Sequence, residues 1–206
     1  MKIYDVSMTV SPSMTVYKNK AAKRPRLDVM ANFQTDGVYE TALWMNLHTG
    51  THMDFPKHML EDGKTSESLD LTTLIREVKV VDLTHLDVSI KLKDIQDLGI
   101  KANDFILFKT QNSTQEAFDF NFVYLEAEAA FYLKNQGITG VGIDALGIER
   151  DQKGHPTHHH LLESDIIIIE GLRLKDVAMG HYQMIALPLK IDGVEALPLR
   201  VILMEV

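Results

Sequence analysis

The stretch His48-Thr49-Gly50-Thr51-His52-Met53-Asp54-Phe55-Pro56-Lys57-His58 places three histidines and one aspartate within eleven residues. Positions 48, 52, 54 and 58 share parity, so in an extended or strand-like segment their side chains project to one side and can converge on one cavity. A helix would instead pair His48 with His52 at i, i+4. Against the helix, Thr49, Gly50 and Thr51 have poor helix propensity, and Pro56 breaks the turn that would hold Asp54. The stretch therefore reads as a strand ending near His48 that runs into a tight loop. Gly50 then permits a backbone conformation or a close approach that a Cβ would block. Imidazole and carboxylate together suit zinc and similar divalent ions. The competing reading, hydrogen-bonded polar residues in an exposed loop, suits any one of these histidines better than it suits the whole cluster.

Outward from this stretch, short runs rich in Val, Ile and Leu recur at 2–7, 41–48, 78–83, 104–109, 140–144, 165–170, 182–191 and 197–204, and read as strands. Leu125, Ala129 and Leu133 recur at four-residue spacing and predict a helix over 122–136, ended by Gly137. Residues 71–75 and 92–98 are weaker helical segments. Hydrophobic residues make up 45% of the 206 and charged residues 24%, the balance of a globular chain, and no linker, repeat or low-complexity tract divides it. Strands and helices mix without strict alternation. The expectation is a single α/β domain over 1–206, with a mixed β-sheet core and flanking helices.

Composition narrows the function. The formal net charge is −8 and the densest basic stretch, 18–26, is short, which argues against a nucleic-acid partner held by phosphate neutralisation. The absence of cysteine excludes disulfides, thiolate zinc sites and a cysteine nucleophile. Residues 2–6 lack the apolar core of a secretory signal, and the longest aliphatic run, 166–169, is far too short to span a bilayer. A cytoplasmic protein with no membrane partner is expected.

A second cluster runs His155-Pro156-Thr157-His158-His159-His160-Leu161-Leu162. Adjacent histidines cannot all face one metal, and by itself the segment reads as a solvated helix start with Thr157 as N-cap. Glu170 closes the apolar run 166–169, and either meets solvent there or reaches into a site beside the sheet.

Taken together, these residues resemble the cyclase family of metal-dependent hydrolases, which includes the bacterial kynurenine formamidases. The family pattern His-x-Gly-Thr-His-x-Asp-x-Pro-x-His is met at every fixed position by residues 48–58, and the likeness extends through 4–7, 126–133, 140–144 and 156–172. The resemblance implies a swivelling β/β/α-like fold, with His48, His52 and Asp54 as metal ligands and His58 as the acid/base. It also selects His158, twelve residues before Glu170, as the remaining histidine ligand beside Glu170, leaving His159 and His160 outside the ligand set. In binuclear members the residues matching Asp54 and Glu170 bridge two ions. The implied cofactor is one or two divalent metal ions per subunit, Zn2+ or alternatively Mn2+, and the implied assembly is a homodimer or homotetramer.

The chemistry suits these residue types. A metal lowers the pKa of a bound water and polarises a carbonyl oxygen, and a histidine beside it can protonate a leaving amine. The Gly-x-Ser-x-Gly elbow of serine hydrolases is absent. The implied reaction is hydrolysis of N-formylkynurenine to kynurenine and formate. The alternatives are hydrolysis of another cyclic or linear amide or ester, such as an isatin-like lactam, and a metal-dependent small-molecule-binding protein without catalysis. A proton shuttle at His58 speaks against the last. One departure concerns the lip of the site: where family members often carry an aromatic residue and then Pro-Gly-Asp, this chain has Tyr17-Lys18-Asn19-Lys20. Tyr17 keeps the ring that would lie against substrate, while the lysines change the lip and put the identity of the substrate in question.

Overall fold

A computed structural model describes residues 1–205. In chain order its elements are β1 (Ile3–Asp5), β2 (Arg26–Ala31), β3 (Glu40–Trp44), β4 (His52–Asp54), β5 (Ile75–Asp82), β6 (Ser89–Ile90), α1 (Leu92–Ile95), β7 (Phe105–Lys109), β8 (Tyr124–Leu125), α2 (Ala127–Gln136), β9 (Gly140–Ile143), α3 (Pro156–Leu162), β10 (Ile167–Glu170), β11 (Gly180–Pro188) and β12 (Ala196–Glu205). An eight-stranded sheet runs β1-β12-β11-β5-β7-β9-β10-β4, and β4 pairs again with β12, so the sheet closes on itself. Strands β5, β7, β9 and β10 are parallel neighbours; the other pairings within this sheet are antiparallel. This is the expected mixed sheet with few flanking helices.

Alternation along the strands creates two cores. Phe105 and Leu107 of β7 point inside the closed sheet with Met53, Ile169, Met184 and Leu199. Ile106 and Phe108 point outward with Val141, Ile143 and Ile168, and are covered by Ala129, Ala130 and Leu133 of α2 and Leu161 and Leu162 of α3. On β9 the inward positions are glycines because nothing larger fits: a Cβ on Gly140 would lie 2.2 Å from the Phe105 ring.

The structure moves several boundaries. The strand expected over 41–48 ends at Trp44, because the Asn46 side chain accepts from the His48 amide at 3.0 Å and turns the chain. The loop expected to follow His48 instead contains a strand, β4, only three residues long and polar at both ends. Its partners β10 and β12, distant in sequence, hold it in place. The helix expected over 122–136 begins at Ala127; Leu125 belongs to β8, and Gly137 caps the helix with a φ of 70°. Residues 71–73 form a single 3-10 turn and α1 is one turn long. Strands β2, β6 and β8 had no counterpart among the expected runs. Strands β2 and β3 form a separate ribbon that carries Leu27, Val29, Met30, Leu43 and Trp44 exposed, with Phe33 and Tyr39 in its connecting loop. Among the described residues, no helix is long and apolar enough to cross a membrane.

Candidate metal centre

The site is built on the outer face of the sheet, where β4 meets β10. His52 and Asp54 are two residues apart on β4 and share a face; Met53 between them points into the inner core. Glu170 is the direct antiparallel partner of His52, so its side chain emerges on that same face. All three are buried, and the register alone brings them together: His52 Nε2 lies 3.5 Å from Asp54 Oδ1 and 3.4 Å from Glu170 Oε2.

Two glycines let the strands approach this closely. Gly50 has φ 74° and Gly171 has φ 71°, and a Cβ on Gly171 would lie 2.4 Å from the Gly50 carbonyl oxygen. Thr51 fastens the contact: its hydroxyl donates to the Gly171 carbonyl at 2.7 Å and accepts from the Met8 amide at 2.8 Å. The Gly50 carbonyl also accepts from His52 Nδ1 at 3.0 Å. That bond fixes the tautomer and leaves Nε2, aimed at the two carboxylates, as a lone-pair donor.

His48 sits in the turn before β4, with Nδ1 3.0 Å from Asp54 Oδ1 and Nε2 3.3 Å from Glu195 Oε1. His58 ends the 3-10 turn that Pro56 begins after β4, and its ring centroid is 4.2 Å from that of His48 and 5.7 Å from that of His158. His158 enters from α3, its Nε2 3.6 Å from Glu170 Oε1 and 3.9 Å from Asp54 Oδ2. The structure thus brings His48, His52, Asp54, His58, His158 and Glu170 into one cluster. His159 turns away to Glu163, and His160 packs on Phe131. The helix start differs from expectation: His155 is the N-cap, and Thr157 is buried inside the helix with its hydroxyl donating to the Leu125 carbonyl at 2.9 Å. Glu170 is buried, and besides its histidine neighbours it accepts from the Ile148 amide at 2.6 Å.

Sequence reasoning passed over Glu149, which is buried and accepts from His158 Nδ1 at 2.7 Å and from the His158 amide at 3.2 Å. This carboxylate orients the imidazole so that Nε2 faces the site, as carboxylates behind metal-ligating histidines do. Its only signal is an acid nine residues ahead of His158, which pattern reading cannot separate from a loop acid. Lys23, also passed over, lies in the basic stretch 18–26 but lines the site's cavity with Tyr17, His48, His58, Met59, Leu146 and Glu170. That cavity holds about 190 Å³. Tyr17 is half-buried at its edge and packs edge-on against Phe118 at 5.2 Å. Of the lip lysines, Lys18 is paired with Asp151 at 2.5 Å and Lys20 is exposed.

The electrostatics are those of buried anions crowded by imidazoles. Burial pushes the Glu170 carboxyl up, but His158 and His52 outweigh it and hold the group well below the usual range. Burial and Glu170 likewise push Asp54 up, and His48, His52 and His58 bring it down. For His158, burial is overcome by Glu149, Glu170 and Asp54, which raise it to about 10. His58 is the exception: burial lowers it, only partly opposed by Asp54.

A divalent cation fits this set. Among the described residues, His52 Nε2 and both Asp54 oxygens are buried without a hydrogen bond of good geometry, which costs on the order of 1–3 kcal/mol each unless another group satisfies them. The donor atoms of His52, Asp54 and Glu170 lie within 4.8 Å of one another, as do those of His48, Asp54 and His58. Nitrogen and oxygen donors with no thiolate are the chemistry of zinc and manganese sites.

The Cyclase family model matches residues 4–150. The kynurenine formamidase of Salinibacter ruber is 31% identical over 208 residues, covering 100% of this chain and 98% of its own. That of Bacillus cereus is 32% identical over 163 residues, 78% of each chain. A solved structure described as a potential metal-dependent hydrolase with cyclase activity is 48% identical with a TM-score of 0.93, covering 98% of this chain and 96% of its own. A predicted metal-dependent hydrolase from Bacillus stearothermophilus is 50% identical at a TM-score of 0.90, covering 98% of this chain and 97% of its own. Isatin hydrolase A from Ralstonia solanacearum covers 99% of this chain and 92% of its own at a TM-score of 0.84; at 20% identity, that likeness shows the fold alone.

Proposed function

The chain belongs to the Cyclase family, and from that premise we propose that it is a metal-dependent amidohydrolase of kynurenine-formamidase type, cleaving N-formylkynurenine to kynurenine and formate. The observation that carries the reading is the buried set of His52 Nε2 and the Asp54 oxygens beside Glu170, which among the described residues make no hydrogen bond of good geometry, with a half-buried His58 next to it. His48, His52, Asp54, His158 and Glu170 would hold one or two divalent ions, zinc or manganese. Such an ion supplies a Lewis acid for the amide carbonyl and acidifies a water molecule.

The remaining work falls to the chain's own groups. Burial keeps His58 below the ordinary histidine value, so it is neutral at pH 7 and free to take a proton from the attacking water. The same nitrogen then returns that proton to the leaving aryl amine, so one residue serves both halves of the reaction. Tyr17 offers a ring face at the cavity edge, and about 190 Å³ suits a single aromatic ring, given that cavities near 150 Å³ admit benzene. Glu149 holds the His158 ring in place.

We also propose a homodimer or homotetramer, supported by the exposed apolar ribbon β2–β3, since contiguous apolar surface of this kind marks association sites. The reaction is tested by offering the metal-loaded protein N-formylkynurenine, isatin, simple aryl formamides and a non-aromatic formamide. The expected result is fastest turnover of N-formylkynurenine. Turnover no faster than that of the non-aromatic formamide would overturn the arylformamidase reading and leave the metal hydrolase; preference for isatin would favour the lactam alternative.

A further inference from the structure

The sequence puts Lys18 and Lys20 in the lip beside Tyr17, and the structure turns neither of them into the cavity. Lys18 is committed to Asp151 and Lys20 faces solvent. The ammonium that remains inside is that of Lys23, at the end of a 3-10 turn just before β2. Its backbone is fixed to the metal loop, because the Thr49 hydroxyl donates to the Lys23 carbonyl at 2.8 Å. The side chain is half-buried, lines the same cavity as His48, His58 and Glu170, and reaches 5.4 Å from the centroid of the Tyr17 ring. Among the described residues, Lys23 Nζ has no hydrogen-bond or ion-pair partner within 4.0 Å.

We infer that Lys23 is a specificity-determining residue that receives an anionic group, a carboxylate, carried by the aryl amide whose ring lies on Tyr17. This rests on the hydrolase reading above and narrows its substrate class to acids. A half-buried ammonium without an acceptor is costly, and charged groups taken from water are retained where something pairs with them. Glu170 and Asp54 act on the Lys23 charge from a distance. They do not provide the missing partner: their oxygens face His48, His52, His158 and the Ile148 amide. Any cation they hold takes up their charge further. What remains is a fixed positive group beside an aromatic platform, opening on a single-ring cavity. That arrangement separates an aryl amide bearing a carboxylate from a neutral lactam or ketone of the same size.

The test uses the full-length metal-loaded protein, with Lys23→Gln and Lys23→Arg, and two matched pairs of probes. The substrate pair is N-formylkynurenine and 2-formamidoacetophenone, which lacks the amino-acid group. The product pair, kynurenine and 2-aminoacetophenone, is followed by equilibrium titration rather than turnover. In Lys23→Gln the ratio of kcat/KM for the acid to that for the neutral ketone falls about tenfold or more, the size of one charge-assisted hydrogen bond. The loss lies in KM, the kynurenine Kd rises by a similar factor, Lys23→Arg recovers part of both, and metal content is unchanged. Equal effects on both members of each pair, or none, would overturn the inference, as would loss of metal, which would make Lys23 a counter-ion of the carboxylates. If the wild-type protein releases formate from neither substrate, the hydrolase reading fails, and the product titration still decides Lys23.

Discussion

His52 and Glu170 face each other across the antiparallel pair β4–β10, with Nε2 and Oε2 3.4 Å apart, although 118 positions separate them in the chain (170 − 52). Every other group of the site is arranged around this pair. Asp54 follows two residues along β4, His48 folds back from the preceding turn, and α3 delivers His158 from the helical side. The pairing depends on the approach of Gly50 to Gly171, where no side chain fits.

Glu149 acts through His158. Glu149→Gln should weaken metal affinity about 10–100-fold, the usual cost of losing the group behind a ligating histidine, while the fold persists. Metal titration monitored beside circular dichroism checks this. Unchanged affinity would mean that the 2.7 Å contact does not position the ligand.

His58 and Asp54 should part company on substitution. His58→Ala should keep its metal and lose on the order of 10²–10⁴-fold in kcat, as removal of a general acid/base does. Asp54→Ala should lose metal and turnover together. The geometry makes the contrast informative, because His58 stands close enough to His48 and Asp54 to ligate an ion itself. Metal loss in a folded His58→Ala protein would reassign it as a ligand.

Metal loading should release protons. Without an ion, Glu149, Glu170 and Asp54 raise His158 to about 10, against the ordinary 6.5, so the imidazole is protonated at neutral pH. A ligating nitrogen must be deprotonated, so binding expels that proton. Affinity should therefore climb with pH up to about 10 and fall on acidification. Calorimetric titration in buffers of different ionisation enthalpy counts the protons; a heat independent of buffer would contradict the charge state assigned to His158.

Tyr17→Ala should raise KM for an aryl formamide severalfold, since aromatic stacking is worth about 0.5–1.5 kcal/mol. Metal content should not change, because the ring touches Phe118 and Phe122 rather than the ligand groups. Steady-state kinetics with parallel metal analysis separates the two effects. Loss of metal would show that the ring supports the ligand cage instead.

Much of this site could be read in the chain because its residues are local. Positions 48–58 carry four of the clustered groups and the glycine that lets them converge, and parity alone put His52 and Asp54 on one face. What could not be read is whatever long-range pairing decides. Strand β4 is too short and polar to announce itself, and it exists because β10 and β12 flank it. Leu125 fits a helical stripe and belongs to a strand because Ile90 pairs with it. Glu149 is an ordinary loop acid until α3 sets His158 against it. The lysines were legible only as a group: which one turns inward depends on Asp151, 133 positions from Lys18.

The central claim is that these side chains form one hydrolytic metal site. It is tested most directly by following formate release from N-formylkynurenine as zinc or manganese is added back to chelator-stripped protein. The account predicts no release from the stripped protein and activity that rises with metal to saturation at one or two ions per chain. Stripped, metal-free protein that releases formate at the loaded rate would contradict it.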